Sequence, residues 1–186
     1  ISNSIYTREY DFLRELLQNA IDACILSCYM NVNNILENEY IRNWPIEKYK
    51  VCIMYSQKQG RMYIYDNGIG MDPNDALNAF KRHATSKIYK PEDLFFINTL
   101  GFRGEALPSI SSVSKVTLET SEGDVGTKIV IEGGKLIENT KCAARKGTLI
   151  KVNDLFYNTP ARLKYLKSEQ TELSNTASFV ERLALS

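Results

Sequence analysis

Apolar residues recur at helical spacing in the first part of the chain. Placed at 100° per residue, Phe12, Leu13, Leu16, Leu17, Ala20, Ala23, Cys24 and Ser27 share one broad arc, which predicts a long helix over 8–28. Arg14 and Gln18 fall on its outer side. A second helix is predicted from Asn31 to Arg42, ended near Trp44-Pro45. The period then changes to two. Residues 50–56 and 61–66 read as strands joined by a hairpin at Gln57-Lys58-Gln59-Gly60. Residues 67–71 form a glycine turn. Asp72-Pro73 then opens a helix through about Arg82, with Asp72 as N-cap and Pro73 at its first position. The pattern loosens over 83–104, and a short helix is predicted at 105–111. Strands follow at about 113–120, 126–132 and 147–153. Asn158-Thr159-Pro160 reads as a turn, and a last helix covers about 169–185. No internal repeat or low-complexity linker interrupts this order. The fold class is α/β, with mostly antiparallel strands and helices on one face.

Composition narrows the function classes. At 186 residues and 44% apolar, the chain has the size and the core material of one domain. Its 23 Lys+Arg against 22 Asp+Glu exclude a strongly basic coat or a polyacidic tail as the main device. Two small basic runs remain, Lys141, Arg145 and Lys146, and Arg162, Lys164 and Lys167; each reads equally as a solvated face. A single histidine, His83, argues against histidine metal cages and Ser-His-Asp triads. Cys24, Cys28, Cys52 and Cys142 contain no CxxC pair, and are expected to be reduced, buried thiols of a cytoplasmic protein. No run approaches ~18 apolar residues, so no membrane partner is expected. The chain starts at Ile1 without a signal peptide or an initiator Met, and reads as a piece of something longer.

Four clusters can carry chemistry. Glu15, Asn19 and Asp22 sit at i, i+4 and i+7 on a stripe bordering the apolar arc of the first helix. A carboxylate and an amide there are costly unless something binds them, although a polar helix edge with local hydrogen bonds accounts for them too. Asp66-Asn67-Gly68-Ile69-Gly70-Met71 follows a strand and precedes a Pro-started helix. Its glycines permit close backbone approach to a flat ligand, and its Asp can accept from an exocyclic amine. A plain strand-to-helix turn is the alternative. Leu100-Gly101-Phe102-Arg103-Gly104-Glu105-Ala106-Leu107 is glycine-rich, cationic and opens a helix, which suits phosphate oxygens without matching the P-loop spacing. Gly147-Thr148 starts a late strand, where a hydroxyl can bond a base or a phosphate, or simply follow β-propensity.

In this order, Glu-x-x-x-Asn on a helix, DxGxG after a strand, a Gly-rich lid and Gly-Thr on a strand, the motifs resemble the GHKL ATPase superfamily. That superfamily includes gyrase, HtpG-type chaperones, histidine kinases and MutL. The resemblance covers nearly the whole chain and implies the Bergerat two-layer α/β sandwich as one nucleotide-binding domain over 1–186. From Ile1 to about Met71 the chain is most similar to HtpG-type chaperones, through Asn3-Ser4-Ile5-Tyr6-Thr7-Arg8-Glu9, Phe12-Leu13-Arg14-Glu15-Leu16 and the Asp66–Met71 motif. From Arg82 onward it is similar to bacterial MutL, through Arg82-His83-Ala84-Thr85-Ser86-Lys87-Ile88, the Gly101–Leu107 segment and Asp154-Leu155-Phe156-Tyr157-Asn158-Thr159-Pro160-Ala161-Arg162. The Ala-Gly-Glu-Val element usual at a MutL start and the chaperone's own glycine lid are both absent. The chain is therefore a divergent member or a composite of two related halves, joined near 67–82.

The resemblance implies roles residue by residue. Glu15 is the general base, and Asn19 gives an oxygen to Mg²⁺. Asp66 accepts from the adenine amine. Asp22, Ala23, Gly68, Gly70, Met71 and Thr148 line the nucleotide. Thr85, Ser86, Lys87, Leu100, Gly101, Phe102, Arg103, Gly104 and Glu105 form the lid over the phosphates. His83 is read as a loop residue of the lid entry, and Tyr6, Tyr10, Phe12, Tyr63 and Tyr65 as packing. The function implied is an ATP-binding, slowly hydrolysing MutL-like module that dimerises with nucleotide and engages repair proteins and DNA. The alternatives are an HtpG-like chaperone module, or a composite scaffold with no physiological partner. The transducer domain that would supply a cation to the γ-phosphate is expected to lie beyond Ser186.

Overall fold

The computed structural model describes residues 13–27, 48–56, 61–81 and 106–164, with helical residues at 171, 174–175, 177–178 and 181. The predicted helix at 31–42 and the whole of 82–105 lie outside the described residues. Helix α1 spans 13–27, and its predicted arc is the one it buries: Leu13, Leu16, Leu17, Ala20 and Cys24. Arg14 and Gln18 are half-buried, while the most open positions on α1 are Asn19, Ile21, Ile25 and Leu26.

Among the described residues six strands follow: β1 Val51–Ser56, β2 Arg61–Asp66, β3 Lys115–Ser121, β4 Gly126–Glu132, β5 Lys135–Cys142 and β6 Gly147–Asn153. They form one sheet in the order β1-β2-β6-β3-β4-β5, antiparallel at every described pairing. The last strand is thus inserted between the β1–β2 hairpin and the β3–β4–β5 meander, and it unites them. Helices α2 Pro73–Asn78 and α3 Ala106–Ser111 pack with α1 on one face.

Alternation along the strands builds that face in rows. Met62, Val152, Val116 and Ile131 align across the sheet, and Ile53, Ile64, Ile150, Leu118 and Ile129 form the next row. Both rows join α1, Ala76 of α2, and Ala106, Leu107 and Ile110 of α3 in a single core. The opposite face carries Tyr63, Tyr65, Thr117 and Val130, with the pairs Lys151–Glu119 at 2.6 Å and Lys128–Glu138 at 2.9 Å. Of the aromatic set read as packing, Tyr63 and Tyr65 are the described members, and both are half-buried on the face away from the helices.

Local sequence explains most boundaries. Asp72 caps α2 as predicted, its Oδ1 accepting from Asn74 N–H at 2.7 Å and Asp75 N–H at 3.0 Å. The helix is shorter than predicted, because Phe80 and Lys81 bond back three residues, to Leu77 and Asn78, and tighten into turns. Strand β5 is absent from the sequence-based prediction. It is an outer strand of the sheet and mostly exposed, so it carries no apolar alternation. Its signal was the Gly133-Gly134 pair, with φ of +55° and +80°, which turns β4 into β5. The turn predicted at 158–160 contains a short helix α4, Pro160–Leu163, which Pro160 starts at its first position. Cys52 is exposed rather than buried, because it projects to the open side of the outer strand β1. Among the described residues no helix is long and apolar enough to cross a membrane.

Leu118 sits at the centre of the inner face with no exposed surface. Leu118→Ala is expected to destabilise the fold by about 2–5 kcal/mol. Leu136→Ser, at an exposed position of β5, should change stability by less than about 0.5 kcal/mol. Urea unfolding of the two variants checks both.

Candidate functional site

The third row of the inner face is polar. Asp66, Thr148, Thr120 and Thr127 stand in consecutive register across β2, β6, β3 and β4, and all four are buried. The alternation that puts isoleucines into the core therefore carries a carboxylate and three hydroxyls into the same layer, at one end of the strands. Buried polar groups need partners. The Asp66 carboxylate accepts from Gly68 N–H at 2.9 Å and from the Thr148 backbone N–H. Burial outweighs both and pushes its pKa up to about 6 from 3.8.

The Asp66–Met71 loop is clamped on three sides. Asn67 is used structurally: its side chain accepts from Lys50 N–H at 2.6 Å and donates to the Lys48 carbonyl at 2.7 Å. Ile69 N–H donates to the Ala23 carbonyl of α1 at 3.1 Å. Met71 N–H donates to the Thr120 hydroxyl at 3.0 Å. The motif's glycines are needed for contact. A side chain at Gly68 would come within 2.6 Å of the Ala23 carbonyl carbon. Gly70, at φ +82°, lies directly on the Ser121 carbonyl.

Helix α1 supplies the second wall. Ala23 touches the glycine loop, and Asp22 accepts from Gln18 at 2.9 Å. One stripe runs back from there through Asn19, which is exposed, to Glu15, which is half-buried. Glu15 Oε1 accepts from Ala106 N–H at 3.3 Å, so its carboxylate sits where the predicted Gly-rich segment runs into α3. Ala23 and Glu15 are eight residues, or about 12 Å, apart along α1, comparable to the reach of a nucleoside triphosphate. Beside Asp66, burial and the neighbouring carboxylate push the Cys24 thiol up to about 11, so it stays neutral.

The structure thus brings together Ala23, Asp66, Gly68, Gly70, Met71 and Thr148, and sets Glu15, Asn19 and Asp22 along the adjoining stripe of α1. Thr85, Ser86, Lys87, Leu100, Gly101, Phe102, Arg103, Gly104 and Glu105, with His83, lie outside the described residues. Thr120 was missed. Its signal was phase: it occupies the inward position after Val116 and Leu118, where a hydroxyl needs a reason.

Comparison with known proteins favours one of the alternatives. Residues 10–154 match the family of histidine kinase-, DNA gyrase B- and HSP90-like ATPases. The chain belongs to this GHKL-type ATPase family. The DNA mismatch repair protein MutL of Listeria innocua is 48% identical over 185 residues, covering 99% of this chain and 27% of that protein. MutL of Ligilactobacillus salivarius is 63% identical over 122 residues, 65% of this chain and 18% of that protein. The structure of the Aquifex aeolicus MutL ATPase domain complexed with ADP superposes with a TM-score of 0.59 and 27% identity, over 94% of this chain and 54% of that one. This GHKL chain therefore spans about a quarter or less of these full-length relatives. The match to the Listeria protein runs through the front part that resembles the chaperone branch, so the chaperone alternative is not favoured.

The raised Asp66 pKa has a signed consequence for stability. Between about 3.8 and 6 the folded chain holds a proton that the unfolded chain has lost. The stability contributed by this group is full below that window, falls as pH rises through 6, and is constant above it. The total is up to about 3 kcal/mol. Asp66→Asn should lack this slope, measured as the difference between wild-type and variant urea midpoints from pH 4 to 8.

Proposed function

We propose that this chain is the ATP-binding, slowly hydrolysing module of a MutL-like DNA mismatch repair protein of the cytoplasm, in which nucleotide closes a lid and drives dimerisation. The observation that carries the reading is the buried Asp66 carboxylate, seated under two glycines that pack against α1 and Ser121. A buried acceptor beside a bare backbone suits the amine of a flat base. The MutL similarity over almost the whole chain supports the choice of branch.

In this reading Asp66 accepts from the adenine amine, and Gly68, Gly70 and Met71 pack against the purine. Thr148 supports the base, directly or through water, and Asp22 and Ala23 complete the wall. Glu15 orients or deprotonates the water that attacks the γ-phosphate. Phosphoryl transfer depends chiefly on positioning and charge stabilisation, and a fixed carboxylate on a helix provides the first. The exposed amide of Asn19, one turn from Glu15, fits Mg²⁺, a hard cation that takes few protein ligands beside phosphates and waters. Bound there with ATP, Mg²⁺ would neutralise charge on the phosphate oxygens. Thr85, Ser86 and Lys87, with residues 100–105 and Arg103 among them, would close over the phosphates.

Partners belong to the same proposal: a second copy of the chain when nucleotide is bound, other mismatch-repair proteins, and DNA. With Mg²⁺ the chain should bind ATP and turn it over slowly. Fast hydrolysis that saturates with protein would count against this. Glu15→Ala should keep ATP affinity within about threefold and lose turnover by about 10²-fold or more. Asp66→Asn should lose binding, read by calorimetry; normal ATP affinity in that variant would overturn the adenine assignment. Gel filtration with and without a non-hydrolysable ATP analogue tests dimerisation.

A further inference from the structure

We infer that Thr120 is a positioning residue that sets the separation of the two backbone segments between which the base is held; this rests on the nucleotide reading above. Thr120 belongs to none of the four motifs. It lies on β3, 49 residues beyond Met71 and 28 before Thr148, yet its side chain bonds to both. It has no exposed surface, and so it touches no ligand itself.

Its hydroxyl has three partners. Met71 N–H donates to it at 3.0 Å, it donates to the Gly147 carbonyl at 3.0 Å, and Thr148 Oγ1 lies 3.1 Å away. A hydroxyl has one proton and two lone pairs. With the proton on the Gly147 carbonyl, Met71 N–H and the Thr148 hydroxyl fill the two acceptor positions, and the group is saturated. Thr148 is then the donor of that pair. One atom thereby joins the end of the glycine loop to the start of β6.

Neither segment can make this join alone. Gly70 lies against the Ser121 carbonyl and Gly147, at φ +113°, against the Asp66 carbonyl, both contacts too close for a side chain. The two backbones are thus held by contact from outside and by the Thr120 hydroxyl from within. Without the hydroxyl, the half-buried Met71 N–H and the buried Gly147 carbonyl each lose a partner, and the loop is free to move relative to Thr148. The base end of the site changes, whereas Glu15 and Asn19 on α1 stay where they are.

The test measures equilibrium affinities of the full chain for ATP, ADP and adenosine in wild type, Thr120→Ser, Thr120→Val and Thr120→Cys. Thermal unfolding is followed in parallel. Thr120→Val should weaken all three ligands by the same factor, about tenfold, because the loss lies at the base end. Thr120→Ser keeps the hydroxyl and should restore affinity to within about twofold. Thr120→Cys, whose thiol bonds weakly, should fall between, and it decides the matter if the valine variant does not fold. A merely structural role predicts fewer binding-competent molecules at unchanged affinity, and that result overturns the inference. So does a loss confined to ATP and ADP. If the wild type binds none of the three, the nucleotide reading falls and this inference with it. If the wild type binds and Thr120→Val binds equally well, only this inference falls.

Discussion

A carboxylate held inside a hydrophobic layer is the constraint on which the rest of this structure depends. Asp66 is almost fully buried, on the same face of β2 as Ile64. An ionised group in that position is expensive unless donors converge on it. The chain supplies two backbone N–H groups, from Gly68 and Thr148, and burial still holds the group's pKa near 6. Those two donors dictate much of the surrounding backbone. Gly68 must curl back over Asp66, and β6 must start beside β2, so that Thr148 pairs with Asp66. Inserting the last strand into the middle of the sheet is what brings that N–H into place.

The core and the candidate site are one periodic pattern. Two rows of the inner face are aliphatic and the third is hydroxylic, with no change in strand geometry between them. The apolar rows bind the helices to the sheet. The polar row, at the strand ends, is left beneath the glycine loop. Helix α1 serves both: Leu13, Leu16 and Leu17 enter the core, while Glu15, Asn19 and Asp22 run along its rim. A helix anchored in the core is a rigid support, and this is what the phosphoryl chemistry proposed for Glu15 and Asn19 asks of it.

Membership of the GHKL ATPases accounts for this combination, and the MutL relatives extend through the front of the chain as well as the back. The chaperone-like phrases of the first 71 residues thus fall within the stretch that the MutL relatives match. They include Glu15 and the Asp66–Met71 loop.

Much was legible from local rules. The apolar arc of α1, the Asp72 cap, the antiparallel β1–β2 pair, β4, β6 and the α/β class follow from periodicity and cap chemistry, because each depends on neighbours within a few residues. Glu15, Asn19, Asp66 and the glycines were legible as motifs for the same reason. Strand β5 was not, since an exposed outer strand needs no alternation and is held by its pairing with β4. Nor was the place of Thr120: a lone threonine on a strand is unremarkable until β6 is inserted beside it and Met71 folds over it. The sequence by itself determined which residues point inward, because side-chain direction alternates with the backbone. Only the tertiary structure decided which of those inward residues meet, because strand order joins positions tens of residues apart, and no local period encodes that order.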